Sequence, residues 1–239
     1  MFFLNIGNTH TQVAELADGK LKLLATHETS SLGAEIPLLK EHPEAHGIAV
    51  CVVPPLRERL QRQYSSRLRF LSWQDFKMLD FSQVDTSTLG LDRIANAAAA
   101  FSLAGGPAIV VDCGTCLNTV VVDGEGRFLG GAILPGRCMM RRALHEYTAQ
   151  LPMLELRDCL PLPIGRNTLD AMAAGTDLAG VGALRELLSR TQQQVHGKYK
   201  VFATGGDASY FLKALPEIMD AAPPLLTLLG VKLAWDALR

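Results

Sequence analysis

The sequence predicts an α/β fold made of two related halves with mixed sheets and a central cleft. Three observations predict it. The chain opens on an apolar run, Phe2-Phe3-Leu4, that leads into the turn Asn5-Ile6-Gly7-Asn8-Thr9. A second apolar run, Ile109-Val110-Val111, leads into a similar turn, Asp112-Cys113-Gly114-Thr115. After each turn the pattern continues as strand and strand, then helices with further strands, so the second half repeats the opening of the first.

In the first half, 2–6 and 12–16 read as a hairpin around the first turn, and 21–27 as a third strand. The span 31–41 reads as a helix. Ile48, Val50, Val52 and Val53 mark a strand over 47–53, stopped by Pro54-Pro55. A helix over 55–66 and a short strand over 68–72 follow. The polar stretch 73–89 reads as a surface loop. Gly90-Leu91-Asp92-Arg93 then opens a helix over 92–104, whose run of alanines leaves little bulk and permits close packing on a neighbour. Gly105-Gly106-Pro107 ends it and marks the boundary between a half over 1–106 and a half over 107–239.

In the second half, strands are expected over 108–112, 117–122 and 127–133, with Asp123-Gly124-Glu125-Gly126 as a hairpin turn. Helices are expected over 137–149 and 167–192; the 94–104 and 167–192 stretches carry apolar stripes of the kind that usually face a core. A strand over 199–203 ends in Thr204-Gly205-Gly206-Asp207, and helices over 207–214 and 224–237 finish the chain.

Composition narrows the function. With 239 residues, 48% hydrophobic, the chain is long enough for a sizeable core. A net charge of −1 leaves no electrostatic footprint for nucleic acid. No apolar stretch is long enough to span a bilayer, and the first residues lack the basic flank of a secretory signal. A cytoplasmic protein without a membrane partner is the expectation. Arg137, Arg141 and Arg142 cluster locally and read as a solvated helix face. Cys113 and Cys116 form a C-x-x-C, but the next residues read as a strand rather than a helix, and no second closely spaced pair exists for zinc. Two small residues in a buried strand turn are the better reading. His10, His27, His42, His46, His145 and His196 show no metal-ligand spacing.

The turns suggest phosphate chemistry. Glycine lets backbone approach a ligand, and successive N–H groups in a tight turn form a nest for anions. Phosphoryl transfer needs phosphate positioning, a divalent cation and a base at the acceptor. No G-x-x-x-x-G-K-[ST] is present, nor a G-x-G-x-x-G after a strand, which excludes a P-loop enzyme and disfavours a dinucleotide oxidoreductase. Asp92-Arg93 is the sharpest acid–base pair. One reading makes Asp92 a helix cap beside a solvated arginine; the other makes it a proton acceptor beside an anion-binding guanidinium.

The order and spacing of several short segments are more specific than any one of them. Gly7-Asn8-Thr9, Val52-Val53-Pro54-Pro55, Gly90-Leu91-Asp92-Arg93, Asp112-Cys113-Gly114-Thr115, the segment 130–136 ending in Pro135-Gly136, Thr148-Ala149-Gln150-Leu151-Pro152, Gly165-Arg166-Asn167-Thr168 and Thr204-Gly205-Gly206-Asp207 run nearly end to end. In these the chain resembles the type III pantothenate kinase family of the actin-like (ribonuclease H-like), sugar-kinase-like ATPase superfamily. The resemblance implies two actin-like halves and ATP-dependent phosphorylation of pantothenate to 4'-phosphopantothenate, the first step of coenzyme A biosynthesis. It implies a homodimer, Mg²⁺ or another divalent cation, and a monovalent cation, K⁺ or NH₄⁺. By motif, Asp92 would be the catalytic base. Gly90, Leu91 and Arg93 would bind pantothenate, with Thr168 reaching the neighbouring protomer's site. Asn5, Gly7, Asn8, Thr9, Gly114, Thr115, Gly205 and Gly206 would line the ATP site, and Asp112 would serve a cation.

Three departures stand out. Asn5 replaces the family's Asp and removes a negative charge, which weakens Mg²⁺ binding. Cys116 stands where Ala is common. The stretch 80–89 carries Phe81 and Thr86 but no Tyr. Asn5 therefore keeps a second reading open, a weakened or inactive homologue acting as a nucleotide- or metabolite-binding accessory or regulatory protein. A third is a kinase or phosphatase of the same superfamily acting on another small substrate.

Overall fold

A computed structural model describes residues 1–33, 35–195 and 197–239. His196 and the Ala34 portion of the 31–41 helix expectation lie outside the described residues. The chain divides into two compact units. One comprises Met1–Gly105, Gly124–Leu129 and Pro224–Arg239; the other comprises Gly106–Asp123 and Gly130–Pro223. Two segments of the 107–239 half expected from sequence, Gly124–Leu129 and Pro224–Arg239 with the last helix, group with the first unit.

The first unit is built on a five-stranded sheet of β1 (Phe2–Ile6), β2 (His10–Ala17), β3 (Lys20–Glu28), β4 (Gly47–Cys51) and β5 (Leu68–Phe70), in the order β3-β2-β1-β4-β5. β1 is antiparallel to β2 and parallel to β4, so the sheet is mixed. Central β1 is covered on both faces, which is why it reads as a continuous apolar run rather than an alternating one. Leu4 and Ile6 pack with Val13, with Leu39 of α1 (Pro37–Glu41) and with Leu56 and Leu60 of α2 (Pro54–Gln63). Pro54 occupies the first turn of α2, where its fixed φ favours a helix start and its missing N–H costs nothing.

The helix α3 (Leu91–Ala104) buries Ile94, Ala95 and Ala97 through Ala100 completely. Its neighbour is α7 (Leu226–Asp236), and the alanine run is what permits the approach. At the crossing, a Cβ on Gly230 would overlap the Ala95 carbonyl. The Thr227 hydroxyl donates to Asn96 Oδ1 at 2.7 Å beside it. Gly105, in the left-handed conformation at φ 63°, closes α3.

Three expectations in or beside this unit need correction. The 31–41 helix is only α1, Pro37–Glu41, preceded by a short 3₁₀ turn at Thr29–Ser31. Pro37 forces Ile36 into an extended conformation (φ −106°, ψ 113°), so helix cannot propagate across it. The 73–89 loop is anchored rather than superficial. Ser72 and Asp75 form a capping box, and Phe76, Leu79 and Phe81 are buried, with Phe81 edge-on to Trp73 at 5.7 Å. The 127–133 strand is two strands, β8 (Phe128–Gly130) and β9 (Ile133–Pro135), broken where Gly130 takes φ 106°.

The second unit holds β6 (Ala108–Cys113), β7 (Cys116–Val122), β10 (Lys200–Thr204) and β11 (Asp220–Ala221), in the order β11-β10-β6-β7. β9 pairs antiparallel with β7. β10 runs parallel to β6, and the two-residue β11 is too short to read from sequence. The helices are α4 (Arg137–Glu146), α5 (Thr168–Gln194) and α6 (Ala208–Ala214). α5 starts at Asn167, whose Oδ1 accepts the Asp170 N–H at 2.9 Å. Among the described residues, no helix is long and apolar enough to cross a membrane.

The α3–α7 crossing yields a stability prediction. Gly230→Val forces backbone apart at a buried contact and is expected to destabilise the protein by about 2–4 kcal/mol. Gly182→Ala, in an exposed part of α5 with nothing within 4 Å of the new Cβ, is expected to be neutral or to stabilise by about 0.5–1 kcal/mol. Paired thermal melts check both; equal melting temperatures would contradict the packing role of Gly230.

Candidate functional site

The first unit presents two of the sequence motifs. Between β1 and β2, the Gly7 N–H donates to the His10 carbonyl at 3.0 Å and closes the turn. The Thr9 carbonyl accepts the Thr29 N–H at 2.8 Å, and the buried Thr11 and Thr29 hydroxyls share a hydrogen bond of 3.0 Å. The turn's frame is thereby held from beneath, while Asn8, Thr9 and His10 are exposed. Asn5, at the penultimate position of β1, is different. Its Oδ1 is buried without a hydrogen-bond partner. An unsatisfied buried acceptor costs roughly 1–3 kcal/mol, so this oxygen is a position where a donor or ligand is favoured.

The second motif is at the start of α3. The Arg93 N–H donates to Asp92 Oδ1 at 2.8 Å. A Cβ at Gly90 would lie 2.6 Å from the same oxygen, so the carboxylate occupies space that only glycine leaves. Burial pushes the Asp92 carboxyl above the ordinary carboxylate range, opposed by the Arg93 N–H and its positive charge. Burial lowers the Arg93 guanidinium in turn, and the Asp92 charge partly restores it. Leu91 beside them is half-buried. A partly desolvated carboxylate next to a guanidinium is suited to accepting a proton from a neutral hydroxyl beside a bound anion.

The second unit brings three sequence motifs into contact through backbone. Asp112, the penultimate residue of β6, is in register with Asn118 of β7 and Thr204 of β10. Gly205 takes φ 97°, and a Cβ there would come within 2.6 Å of Asp112 Oδ1. The Gly114 N–H donates to the Cys116 carbonyl at 3.0 Å, and the Gly136 N–H to the Thr115 carbonyl at 3.0 Å. The Asp207 N–H donates to the Cys113 carbonyl at 2.9 Å. Asp112, Gly114, Thr115, Gly205 and Gly206 therefore form one cluster, in which Thr115, Gly205 and Gly206 are exposed. Gly136 belongs to it as well, although nothing in the sequence assigns it a site role. Its Cβ would come 2.6 Å from the Thr115 carbonyl, a requirement visible only in three dimensions. Asn118 was also missed; its Oδ1 is buried without a hydrogen-bond partner on the strand beside Asp112. Thr168 is not part of this cluster. It is exposed at the first turn of α5.

Cys113 and Cys116 are free thiols. Cys113 is buried, and burial pushes its thiol far up, helped by the Asp112 and Asp207 carboxylates, which disfavours the reactive thiolate. Among the described residues, no group of three or more His, Cys, Asp or Glu side chains could hold a metal by itself.

The arginine reading is overturned in part. Arg142 is exposed, but Arg137 and Arg141 are 2% and 1% exposed. Arg137 Nε and Nη2 donate to Asp207 at 2.8 and 2.6 Å, and Nη1 donates to Asp177 at 3.1 Å. Arg141 Nη2 donates to both Asp177 oxygens at 2.7 Å. Helical spacing gave no sign of this, because the partners are 36 to 70 residues away. A cavity of about 370 Å³ lies next to this cluster, lined by Arg141, Arg157, Cys159, Leu162, Ile164 and Asp170 among others.

Known proteins match this chain along its length. Residues 1–190 match the family model for type III pantothenate kinase. A type III pantothenate kinase of Geobacillus kaustophilus (strain HTA426) is 32% identical over 99% of this chain and 97% of its own. Among solved structures, a conserved Baf family protein from Campylobacter jejuni superimposes with a TM-score of 0.67 at 20% identity, covering 99% of this chain and 98% of that one. The archaeal actin homolog Ta0583 superimposes with a TM-score of 0.51 at 10% identity, covering 99% of both chains. These likenesses agree with the two mixed sheets and show an α/β fold of two actin-like halves. By the family match over four fifths of its length and the near full-length identity to a curated relative, the chain belongs to the type III pantothenate kinase family.

Proposed function

We propose that the chain phosphorylates pantothenate with ATP, giving 4'-phosphopantothenate and ADP. The observation that carries this reading is the Gly90-Asp92-Arg93 arrangement, a carboxylate raised by burial beside a guanidinium at the start of a helix. Asp92 accepts the proton of the substrate's primary hydroxyl as that oxygen forms its bond to the γ-phosphorus. The bond between the γ-phosphorus and the β,γ-bridging oxygen breaks, and ADP leaves with the electron pair. Arg93 holds the pantothenate carboxylate, and Gly90 and Leu91 border the same substrate. Each strand turn offers N–H and hydroxyl donors suited to phosphate oxygens, at Gly7, Asn8 and Thr9 in the first unit and at Gly114 and Thr115 in the second. Gly205 and Gly206 contact the nucleotide.

A divalent cation fits the residues present. Mg²⁺ usually takes one or two carboxylates and fills its shell with water and phosphate oxygens. Asp112 would supply the carboxylate, and Asn118 Oδ1, on the strand paired with it, would supply a neutral oxygen. When bound, the cation neutralises charge on the phosphates. A monovalent cation, K⁺ or NH₄⁺, would draw on the same carboxylate. A homodimer is supported by the 153–169 segment, where Leu162 and Ile164 are 78% and 80% exposed and Thr168 is unburied. The proposed location is the cytoplasm.

A second reading is favoured by one observation. Asn5 Oδ1 is an orphan where an acidic residue would bring charge to the first turn. On that reading the chain binds nucleotide but transfers phosphate poorly, in an accessory or regulatory role.

Three outcomes are expected. With ATP, pantothenate, Mg²⁺ and K⁺, ADP release should be robust in the parent and lost in Asp92→Asn. Because the folded-state pKa of Asp92 is raised, its ionised form opposes folding above that pKa, and the cost vanishes below the unfolded value. Asp92→Asn should therefore melt at or above the parent temperature at neutral pH, and the acid limb of the parent pH–rate profile should lie above the usual carboxylate range of about 4. A less stable, still active variant would contradict the assignment. Second, Asn5→Asp should lower the Mg²⁺ needed for half-maximal rate by roughly tenfold or more. An inactive parent rescued by this substitution would instead establish the second reading. Third, light scattering should report a dimer, and Leu162→Glu with Ile164→Glu should yield a monomer; a monomeric parent would remove the dimer proposal.

A further inference from the structure

Asp207 was expected to belong to a nucleotide-contacting loop, yet its carboxylate is already committed. Both of its oxygens accept from Arg137, from Nε at 2.8 Å and from Nη2 at 2.6 Å. Its backbone N–H is committed too, to the Cys113 carbonyl. The loop Thr204-Gly205-Gly206-Asp207 is thus pinned at its last residue from two sides. It is pinned close enough that Gly205 touches Asp112 and the Cys113 peptide.

Arg137 does more than neutralise Asp207. Its Nη1 donates to Asp177 on α5 at 3.1 Å and to the Arg157 carbonyl at 3.1 Å. Its guanidinium carbon lies 3.4 Å from the centre of the Tyr210 ring on α6. Arg141, one turn further along α4, completes the arrangement through Asp177, the Thr176 hydroxyl and the Glu155 carbonyl. Two arginines face two aspartates, so the buried charge balances. A planar fork spreads its donors over three nitrogens and meets two carboxylates and a carbonyl at once; an ammonium carries its three donors on one nitrogen and cannot make the bidentate contact to Asp207. Nothing in the proposed phosphoryl transfer uses these side chains.

We infer that Arg137 is a positioning residue for nucleotide binding, which holds the Gly205-Gly206 turn against β6 through Asp207. This rests on the proposed reading of that turn as a nucleotide contact. The same guanidinium ties the turn to the backbone of the 155–157 segment, which precedes the exposed apolar stretch proposed to meet a second copy.

The test measures equilibrium binding of a non-hydrolysable ATP analogue, together with the steady-state constants, on full-length protein. Arg137→Lys keeps the charge and loses the fork. It should weaken nucleotide affinity and raise the KM for ATP by about tenfold or more, with the KM for pantothenate within about twofold and kcat at saturating ATP largely retained. Arg142→Lys, on the exposed side of the same helix, should match the parent. A merely structural role would instead lower the folded, active fraction and leave nucleotide affinity unchanged, and that result overturns the inference. Should Arg137→Lys fail to fold, Asp207→Asn takes its place; it preserves shape, is expected to show the same selective loss, and overturns the inference if its affinity equals the parent's. Parent protein that binds no nucleotide overturns the functional reading itself, and the inference with it; a parent that binds with both variants unaffected removes only the inference.

Discussion

The buried guanidinium of Arg137 is the interaction on which the second unit's site geometry depends. Desolvating an arginine is costly, and the cost is offset only if its N–H groups are met by well-placed acceptors. Here four donations go to Asp207, Asp177 and a backbone carbonyl, so α4, α5, the loop after β10 and the 155–157 segment can occupy one arrangement and few others. Replacing this cluster by apolar side chains could give equal stability, but it would not specify where a glycine turn sits to a fraction of an ångström. That precision matters because Gly205 meets Asp112 at a separation no other residue allows.

The two strand turns share a plan and differ in charge. Each follows a buried strand, is closed by a backbone hydrogen bond across the hairpin, and leaves hydroxyl or amide groups open to solvent. The second carries a carboxylate at the strand end; the first carries an amide whose oxygen is buried and unmatched. The two strand ends therefore differ by one negative charge, carried by Asp112 and absent at Asn5. At the start of α3, burial disfavours the charge of the Asp92 carboxyl.

Much of this was legible in the residues. The strand–turn–strand openings, the proline stop before α2, the glycine close of α3 and the alanine run that admits α7 all depend on local chemistry, and they appear in the structure. The misreadings have two causes. Pro37 shortened a helix through a local rule that was overlooked, whereas the buried anchors of the 73–89 stretch, the break at Gly130 and the burial of Arg137 and Arg141 depend on neighbours distant in the chain. A charged residue on an amphipathic helix looks solvated unless its partners are known, and Asp177 and Asp207 lie 40 and 70 residues beyond Arg137.

By itself the sequence determined the fold class, the kinship and the set of motifs, because apolar periodicity, turn chemistry and ordered short segments are properties of the chain read in one dimension. Only the tertiary structure decided which backbone carbonyls crowd Gly136 and Gly205, which arginines are buried, and that Asn5 and Asn118 carry unmatched oxygens. Those facts are set by how strands and helices far apart in sequence exclude water and satisfy, or fail to satisfy, each other's polar groups.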